Sequence, residues 1–296
     1  MNPPTQADAL AAWFATAPGQ YVLDWERAQL DRALADVFGF HALQLGLPQI
    51  DGLNGNRMPH RWLALDRVRP QPEPVANAPA VDTDDNHGAE ADAGLWRAVD
   101  GDAGLTAPPR AAALFCHFDA LPFPNNSLDL VLLPHTLELA RDPHLTLREV
   151  ERVLVPEGRV AIVGFNPASL WGLRQHLGRL RRGVGGKAPL FMPREGDFIG
   201  YRRLRDWLRL LSFEVEGGRF GCYRAPLHSA TWLQRSAWMD ATGERWWPVF
   251  GALYFVLAVK RVRGMRLVGL ARRLPAKPQA APAVVANQQG LRKEKQ

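Results

Sequence analysis

Four residues that could do chemistry each stand at the end of a short apolar run: Gly46, Asp66, Asp119 and His135. A glycine lets a ligand approach the backbone, a carboxylate accepts hydrogen bonds, and an imidazole can take or orient a proton near neutral pH. If the runs are neighbouring parallel strands, these residues share the sheet edge where open α/β folds bind ligands. The alternatives are a solvated Asp66, an Asp119 that caps a turn and a His135 that satisfies local backbone groups.

The stretch 118–167 contains the elements that must position these residues. Residues 127–133 are almost wholly apolar, as in a strand covered on both faces. Asp142 and Pro143 then predict the N-cap and first turn of a helix that stops at 156–158, where proline cannot continue it and glycine can adopt a left-handed conformation. A second buried strand follows at 159–164. A strand, helix and strand in this order predict a right-handed crossover in an open α/β sheet.

The same stretch resembles the class I S-adenosylmethionine (SAM)-dependent methyltransferases, and most closely their type 11 domains. The resemblance covers residues 112–167 and rests on Asp119, Leu121-Pro122-Phe123, Leu128-Asp129-Leu130-Val131, Leu147-Arg148-Glu149, Arg152-Val153-Leu154, Pro156 and Gly158-Arg159. It implies a Rossmann-like, seven-stranded α/β fold whose mostly parallel sheet ends in an antiparallel C-terminal hairpin. The implied activity is methyl transfer from SAM to an unidentified acceptor, which we expect to be a small molecule.

The resemblance also assigns the cofactor site. It implies that Gly46 opens the loop beside the methionyl part of SAM and that Asp66 binds the ribose hydroxyls. Asp119 would accept from the adenine amino group, the backbone of Ala120 would address a ring nitrogen, and Leu121 would supply an apolar face. The chain departs from the family at Leu47-Pro48, where smaller residues or glycines are usual and where proline removes a backbone donor. A methyltransferase fold without catalysis, acting as a scaffold through basic segments that contact RNA or a membrane, is therefore the competing hypothesis.

The acceptor side is predicted from the ends of the fourth and fifth strands. His135 is the candidate base or orienting residue, and methyl transfer needs a base only when the acceptor must lose a proton. Asn166, Trp171 and Arg174 follow the fifth strand and could line an acceptor pocket. An ordinary strand-to-helix turn is the equal alternative for these three residues.

Composition divides the chain into four parts. Residues 1–25 form an N-terminal extension with aromatic anchors, and 26–264 form the methyltransferase-like domain, with a helix at 26–38 ended by Gly39. Composition predicts that a disordered acidic insertion interrupts that domain at about 70–110 and that a disordered basic tail occupies 265–296. The antiparallel end of the sheet is predicted from strands at 213–220 and 253–259.

Charge and cysteine content indicate which classes of partner and which cellular location to expect. The seven basic residues and one acidic residue of 265–296 equal the whole formal net charge of +6, which argues against nucleic acid as the partner. The segment 170–209 is basic as well. The tryptophan-rich stretch near Arg235 and Arg245 is expected to cover the active site, and peripheral membrane contact is the less favoured alternative. Two cysteines favour a reducing, cytoplasmic location. We predict no metal site, and the sequence does not indicate an oligomeric state.

Overall fold

A computed structural model describes residues 6–66, 112–183, 190–192 and 198–261. The compact unit to which they belong is Met1–Val262. The predictions for the acidic insertion at 70–110 and for the basic tail at 265–296 lie outside the described residues.

Seven strands form one sheet in the order β3-β2-β1-β4-β5-β7-β6. Their bounds are β1 His41–Leu45, β2 His60–Asp66, β3 Ala112–Cys116, β4 Leu128–Pro134, β5 Leu154–Phe165, β6 Phe213–Gly221 and β7 Leu253–Lys260. The first five strands pair in parallel, whereas β7 pairs antiparallel with both β5 and β6. The predicted fold class, a mostly parallel seven-stranded sheet with an antiparallel C-terminal pair, is confirmed.

Helices cover both faces of this sheet. They are α1 Gln6–Phe14, α2 Ala17–Leu34, α3 Thr136–Leu139, α4 Pro143–Val153, α5 Leu170–Gly183, α6 Tyr201–Leu210, α7 Ala230–Arg235 and α8 Trp238–Trp246, followed by a 3-10 turn at Pro248–Phe250.

The strands contribute alternate residues to two cores. In β4, Leu130 and Leu132 join the core that also holds α1 and α2, while Val131 and Leu133 join the core under α4 and α6. This alternation is the period of two expected of a strand buried on both faces. The carboxyl ends of β1 to β5 therefore lie between two helical layers.

The N-terminal prediction is wrong at both ends of the helix. The helix predicted at 26–38 begins nine residues earlier, at Ala17, and ends at Leu34, so the predicted boundary at residue 25 falls inside α2. Thr16 caps α2, because its hydroxyl accepts from the backbone N–H of Gly19 at 3.3 Å. Gly39 does not end the helix; a Cβ there would lie 2.4 Å from the Cβ of Asp129.

The crossover helix α4 begins as predicted and ends earlier than predicted. The carboxylate of Asp142 accepts from the N–H groups of His144 and Leu145, so its N-cap role is confirmed. The helix stops at Val153, and β5 begins at once. Glu157, with φ of 65°, adopts the left-handed conformation that we predicted for Gly158. Position 158 has no room for a larger side chain, because a Cβ there would lie 2.8 Å from the carbonyl oxygen of Val155.

Candidate active site

The loop after β1 turns sharply at two consecutive left-handed residues. Gly46 has φ of 79° and Leu47 has φ of 41°. The atoms nearest to a Cβ at Gly46 would be those of the Phe118 ring, at 3.7 Å, and the Thr136 hydroxyl, at 3.9 Å, which are ordinary van der Waals distances. The backbone of Gly46 thus faces the carboxyl ends of β3 and β4, where the predicted cofactor residues lie.

Gln44, a buried residue of β1, holds this loop together. Its amide nitrogen donates to the carbonyl oxygens of Gly46 at 3.2 Å, Leu47 at 3.0 Å and Ile50 at 2.6 Å. Its amide oxygen accepts from the N–H of Gly52 at 3.2 Å. Leu47 and Ile50 pack into the α1/α2 core, so the bulky Leu47 side chain points into the protein interior. The sequence analysis did not identify this role, although a polar residue inside an apolar run was a signal for it.

Two carboxylates lie at the ends of the adjoining strands. Asp66 ends β2 with 48% of its side chain exposed, and its Oδ1 lies 3.9 Å from His117 Nδ1. Asp119 is exposed in the turn that follows β3. Partial burial raises the pKa of Asp66, the nearby charge of Asp119 adds to the rise, and His117 opposes it. The two carboxylates are therefore close enough at the sheet edge for the charge of Asp119 to affect the pKa of Asp66.

The backbone of the same turn is already engaged. The N–H of Ala120 donates to the carbonyl oxygen of His117 at 3.1 Å, and the N–H of Leu121 donates to Glu149 Oε2 at 3.1 Å. Arg152 binds both the Glu149 carboxylate and the carbonyl oxygen of Leu121. Leu121 is buried, so an apolar side chain lies beneath the turn while the Asp119 carboxylate faces outward.

His135 lies in the protein interior between two glutamates. Its side chain is fully buried, with Nε2 2.6 Å from Glu26 Oε1 and Nδ1 3.0 Å from Glu138 Oε2. Burial by itself lowers the pKa of His135, but the charge of Glu26 and the bonds to both carboxylates outweigh it and raise the pKa to about 9. At neutral pH the ring is therefore an imidazolium that donates two hydrogen bonds. Such a ring has no lone pair with which to accept a proton.

The two glutamates connect His135 to separate elements. Glu26 belongs to α2, and Glu138, on α3, accepts from the backbone N–H of Phe165 at 2.8 Å through its second oxygen. The second oxygen of Glu26, Oε2, is buried and has no hydrogen-bond partner among the described residues. The His135 ring packs against Phe14 and Phe165, with centroids 6.0 and 4.3 Å away. The triad ties two helices to the carboxyl ends of β4 and β5.

The three predicted acceptor residues make internal contacts. Asn166 donates to the carbonyl oxygens of Val249 and Gly251, and buried Trp171 donates to that of Arg224 at 2.7 Å. Arg174 donates to the carbonyl oxygen of Pro226 and stacks on Phe191. These contacts fix the connection between α5 and the segment 222–251, and the acceptor-binding role of the three side chains remains a prediction.

An apolar groove opens beside this connection. Its volume is about 600 Å³, and Leu170, Leu173, Trp238, Trp247 and Phe250 form much of its wall. Ser169, His176, Tyr223 and Thr242 contribute polar atoms. The sequence analysis treated the tryptophan-rich segment as a cover and did not identify this groove. Across the described residues, no group of three or more His, Cys, Asp and Glu side chains is arranged to hold a metal ion.

Comparison with known proteins identifies relatives of part of the chain. Residues 100–162 match the family model described as a methyltransferase domain. The uncharacterized protein YafS of Escherichia coli (strain K12) is 34% identical over 170 residues, which are 57% of this chain and 63% of that protein. A malonyl-[acyl-carrier protein] O-methyltransferase of Halorhodospira halophila is 41% identical over 66 residues, or 22% of each chain. The chain thus covers less than two thirds of the length of these curated relatives.

A solved structure of an S-adenosylmethionine-dependent methyltransferase from Mesorhizobium loti is also similar. It is 15% identical, with a TM-score of 0.43, and the match covers 78% of this chain and 96% of that one.

Proposed function

We propose that this chain is a class I methyltransferase with a type 11 domain, an enzyme that transfers a methyl group from SAM to a small-molecule acceptor. The match of residues 100–162 to a methyltransferase-domain model and the seven-stranded sheet support the proposal. The observation that carries the proposal is the edge formed by Gly46, Asp66 and Asp119. A left-handed glycine and two outward-facing carboxylates lie at the carboxyl ends of β1, β2 and β3. Ligands of open α/β sheets bind at this edge.

The residues present fit the cofactor. The Gly46 backbone has only ordinary contacts on the side of Phe118, and Leu47 is packed away from that side into the α1/α2 core. Asp66 and Asp119 would hold the ribose hydroxyls and the adenine amino group, and charge-assisted hydrogen bonds of this kind are about twice as strong as neutral ones. SAM supplies an electrophilic methyl group on a sulfonium.

We propose a positioning role for His135 instead of the role of base. An imidazolium between Glu26 and Glu138 cannot take a proton from the methyl acceptor. It does orient the start of α3 and the end of β5, which border the carboxyl edge of the sheet. Asn166, Trp171 and Arg174 would likewise shape the acceptor side from within. Because positioning dominates methyl transfer in a dry site, the proposal requires no base among these residues.

One further part of the proposal rests on a less specific observation. A reducing compartment such as the cytoplasm would suit Cys116 and Cys222, both of which are buried free thiols.

Calorimetric titration of the full chain with SAM tests the cofactor site. We expect saturable binding that weakens about tenfold to hundredfold in Asp119→Ala, the loss expected for one hydrogen bond to a charged group. Asp36→Ala is the matched control, because Asp36 is exposed and lies before β1, at the opposite end of that strand. Absence of binding by folded wild type would refute the proposed cofactor site and favour a non-catalytic role, and equal binding by the Asp119 variant would refute the role of Asp119.

A further inference from the structure

A large apolar surface surrounds the groove between α5 and α8. Eight of its side chains are between 48 and 68% exposed, and we call them the α5/α8 surface: Leu170, Leu173, Leu177, Leu180, Trp238, Trp246, Trp247 and Phe250. Five of them, Leu170, Leu173, Trp238, Trp247 and Phe250, line the same groove. Exposed apolar area of this extent marks a binding surface.

Helix α5 is amphipathic with its apolar stripe facing outward. Trp171 and Gln175 are buried against the domain. The four leucines recur every three or four residues and fall within about 80° of arc at 100° per residue. This stripe is separate from the buried side of the helix, so the domain core does not account for it.

Positive charge accompanies the stripe. Helix α5 contains Arg174, Arg179, Arg181 and Arg182 and no acidic residue. Arg181 is exposed and follows the leucines at a spacing that places it along the edge of the stripe, and exposed Arg245 precedes Trp246 and Trp247 in the sequence. The α5/α8 surface thus combines leucine, tryptophan and arginine, the composition of helices that lie in the interface of an anionic bilayer.

We propose that the α5/α8 surface docks the protein on an anionic lipid bilayer. The leucines and tryptophans would enter the boundary between headgroups and acyl chains, while Arg181 and Arg245 contact lipid phosphates. A second copy of the chain is a poorer occupant, because a two-fold interface would bring one arginine-rich α5 against another. The attachment is peripheral: in the described part of the chain, no helix combines the length and apolarity needed to cross a bilayer. This inference does not depend on methyl transfer.

Vesicle flotation with the full chain tests the proposal. We expect the protein to float with vesicles of phosphatidylcholine and phosphatidylglycerol and to remain unbound with phosphatidylcholine alone. The double variant Leu173→Glu/Leu177→Glu should lower partitioning about tenfold or more, because each buried methylene contributes about 0.8 kcal/mol. The control is Leu210→Glu, on α6 outside the surface, where the leucine is 82% exposed. All variants keep the basic residues of 265–296, so a difference between them reports on the leucines.

Several outcomes would overturn the inference. Equal flotation of wild type and the double variant would assign membrane binding to other residues. Absence of flotation with anionic vesicles would exclude a lipid surface as the occupant. Concentration-dependent dimerisation in sedimentation velocity, lost in the double variant and unaffected by vesicles, would instead show that a second copy covers the surface. Circular dichroism spectra that match wild type would establish that the variants are folded.

Discussion

The buried imidazolium of His135 makes the stability of this protein depend on pH in a defined window. Its pKa is near 6.5 in an unfolded chain and rises to about 9 in the folded protein. The folded state therefore holds this proton more tightly than the unfolded state. The stabilisation is fully present below pH 6.5 and is lost as the pH rises through 9. At about 1.4 kcal/mol for each pH unit, the loss is about 3 kcal/mol.

Urea unfolding at a series of pH values measures this effect. We expect the free energy of unfolding of wild type to fall by about 3 kcal/mol between pH 6.5 and 9. In Glu26→Gln the main cause of the raised pKa of His135 is removed, so the decrease should shrink by at least half. The matched control is Glu244→Gln, because Glu244 is exposed on α8 and should leave the wild-type slope unchanged.

Imidazole NMR provides a direct check on the same group. The signal of His135, assigned by its absence in His135→Asn, should titrate well above the signals of exposed histidines. Asparagine suits this position because it tolerates the left-handed backbone that His135 adopts at φ of 53°. A His135 signal that titrates near pH 6.5, or equal slopes for wild type and Glu26→Gln, would refute the ion-pair reasoning.

Two other predictions concern stability. Gln44→Leu should lower the free energy of unfolding by about 1 to 3 kcal/mol, because the carbonyl oxygens of Leu47 and Ile50 and the N–H of Gly52 lose a buried partner; an unchanged urea midpoint would contradict the role of this side chain in the loop. Lys260→Met should cost a similar amount, since the buried ammonium donates to the carbonyl oxygens of Glu151 and Leu154 at 2.6 and 2.9 Å. Thermal unfolding checks this prediction when Lys260→Met is measured beside a variant in which an exposed Lys or Arg is replaced by Met. An equal loss of unfolding free energy in both variants would contradict it.

The sheet was predictable because its signals are local. The apolar run at 127–133, the Asp142-Pro143 helix start and the run at 159–164 each sit within one element, and β4, α4 and β5 follow from them. The early start of α2 was missed because its N-cap, Thr16, is followed by Pro18 and Gly19, which usually mark a turn. The left-handed Glu157 was missed because the tertiary path of β5 overrides the usual preference for glycine.

The candidate site was predictable in its positions and less so in its contacts. The places of Gly46, Asp66 and Asp119 at the sheet edge were predictable because each ends or closely follows a recognisable strand, and their roles toward SAM remain predictions. The partners of His135 could not be predicted, since Glu26 lies 109 residues away and its pairing depends on how α2 packs. The exposed stripe on α5 was also missed, because periodicity alone cannot tell which side of an amphipathic helix faces the core.

The contacts of the N-terminal helices have a consequence for biosynthesis. Glu26 pairs with a residue 109 positions later, Trp13 donates to a carbonyl oxygen 178 positions later, and Tyr21 bonds Asp240, 219 positions later. At about 5 to 20 residues per second, a ribosome needs on the order of 10 to 40 s to make the partner of Tyr21 after Tyr21 itself. Helices α1 and α2 thus complete these contacts only after the later residues are made, and during this interval their apolar faces remain open to chaperones.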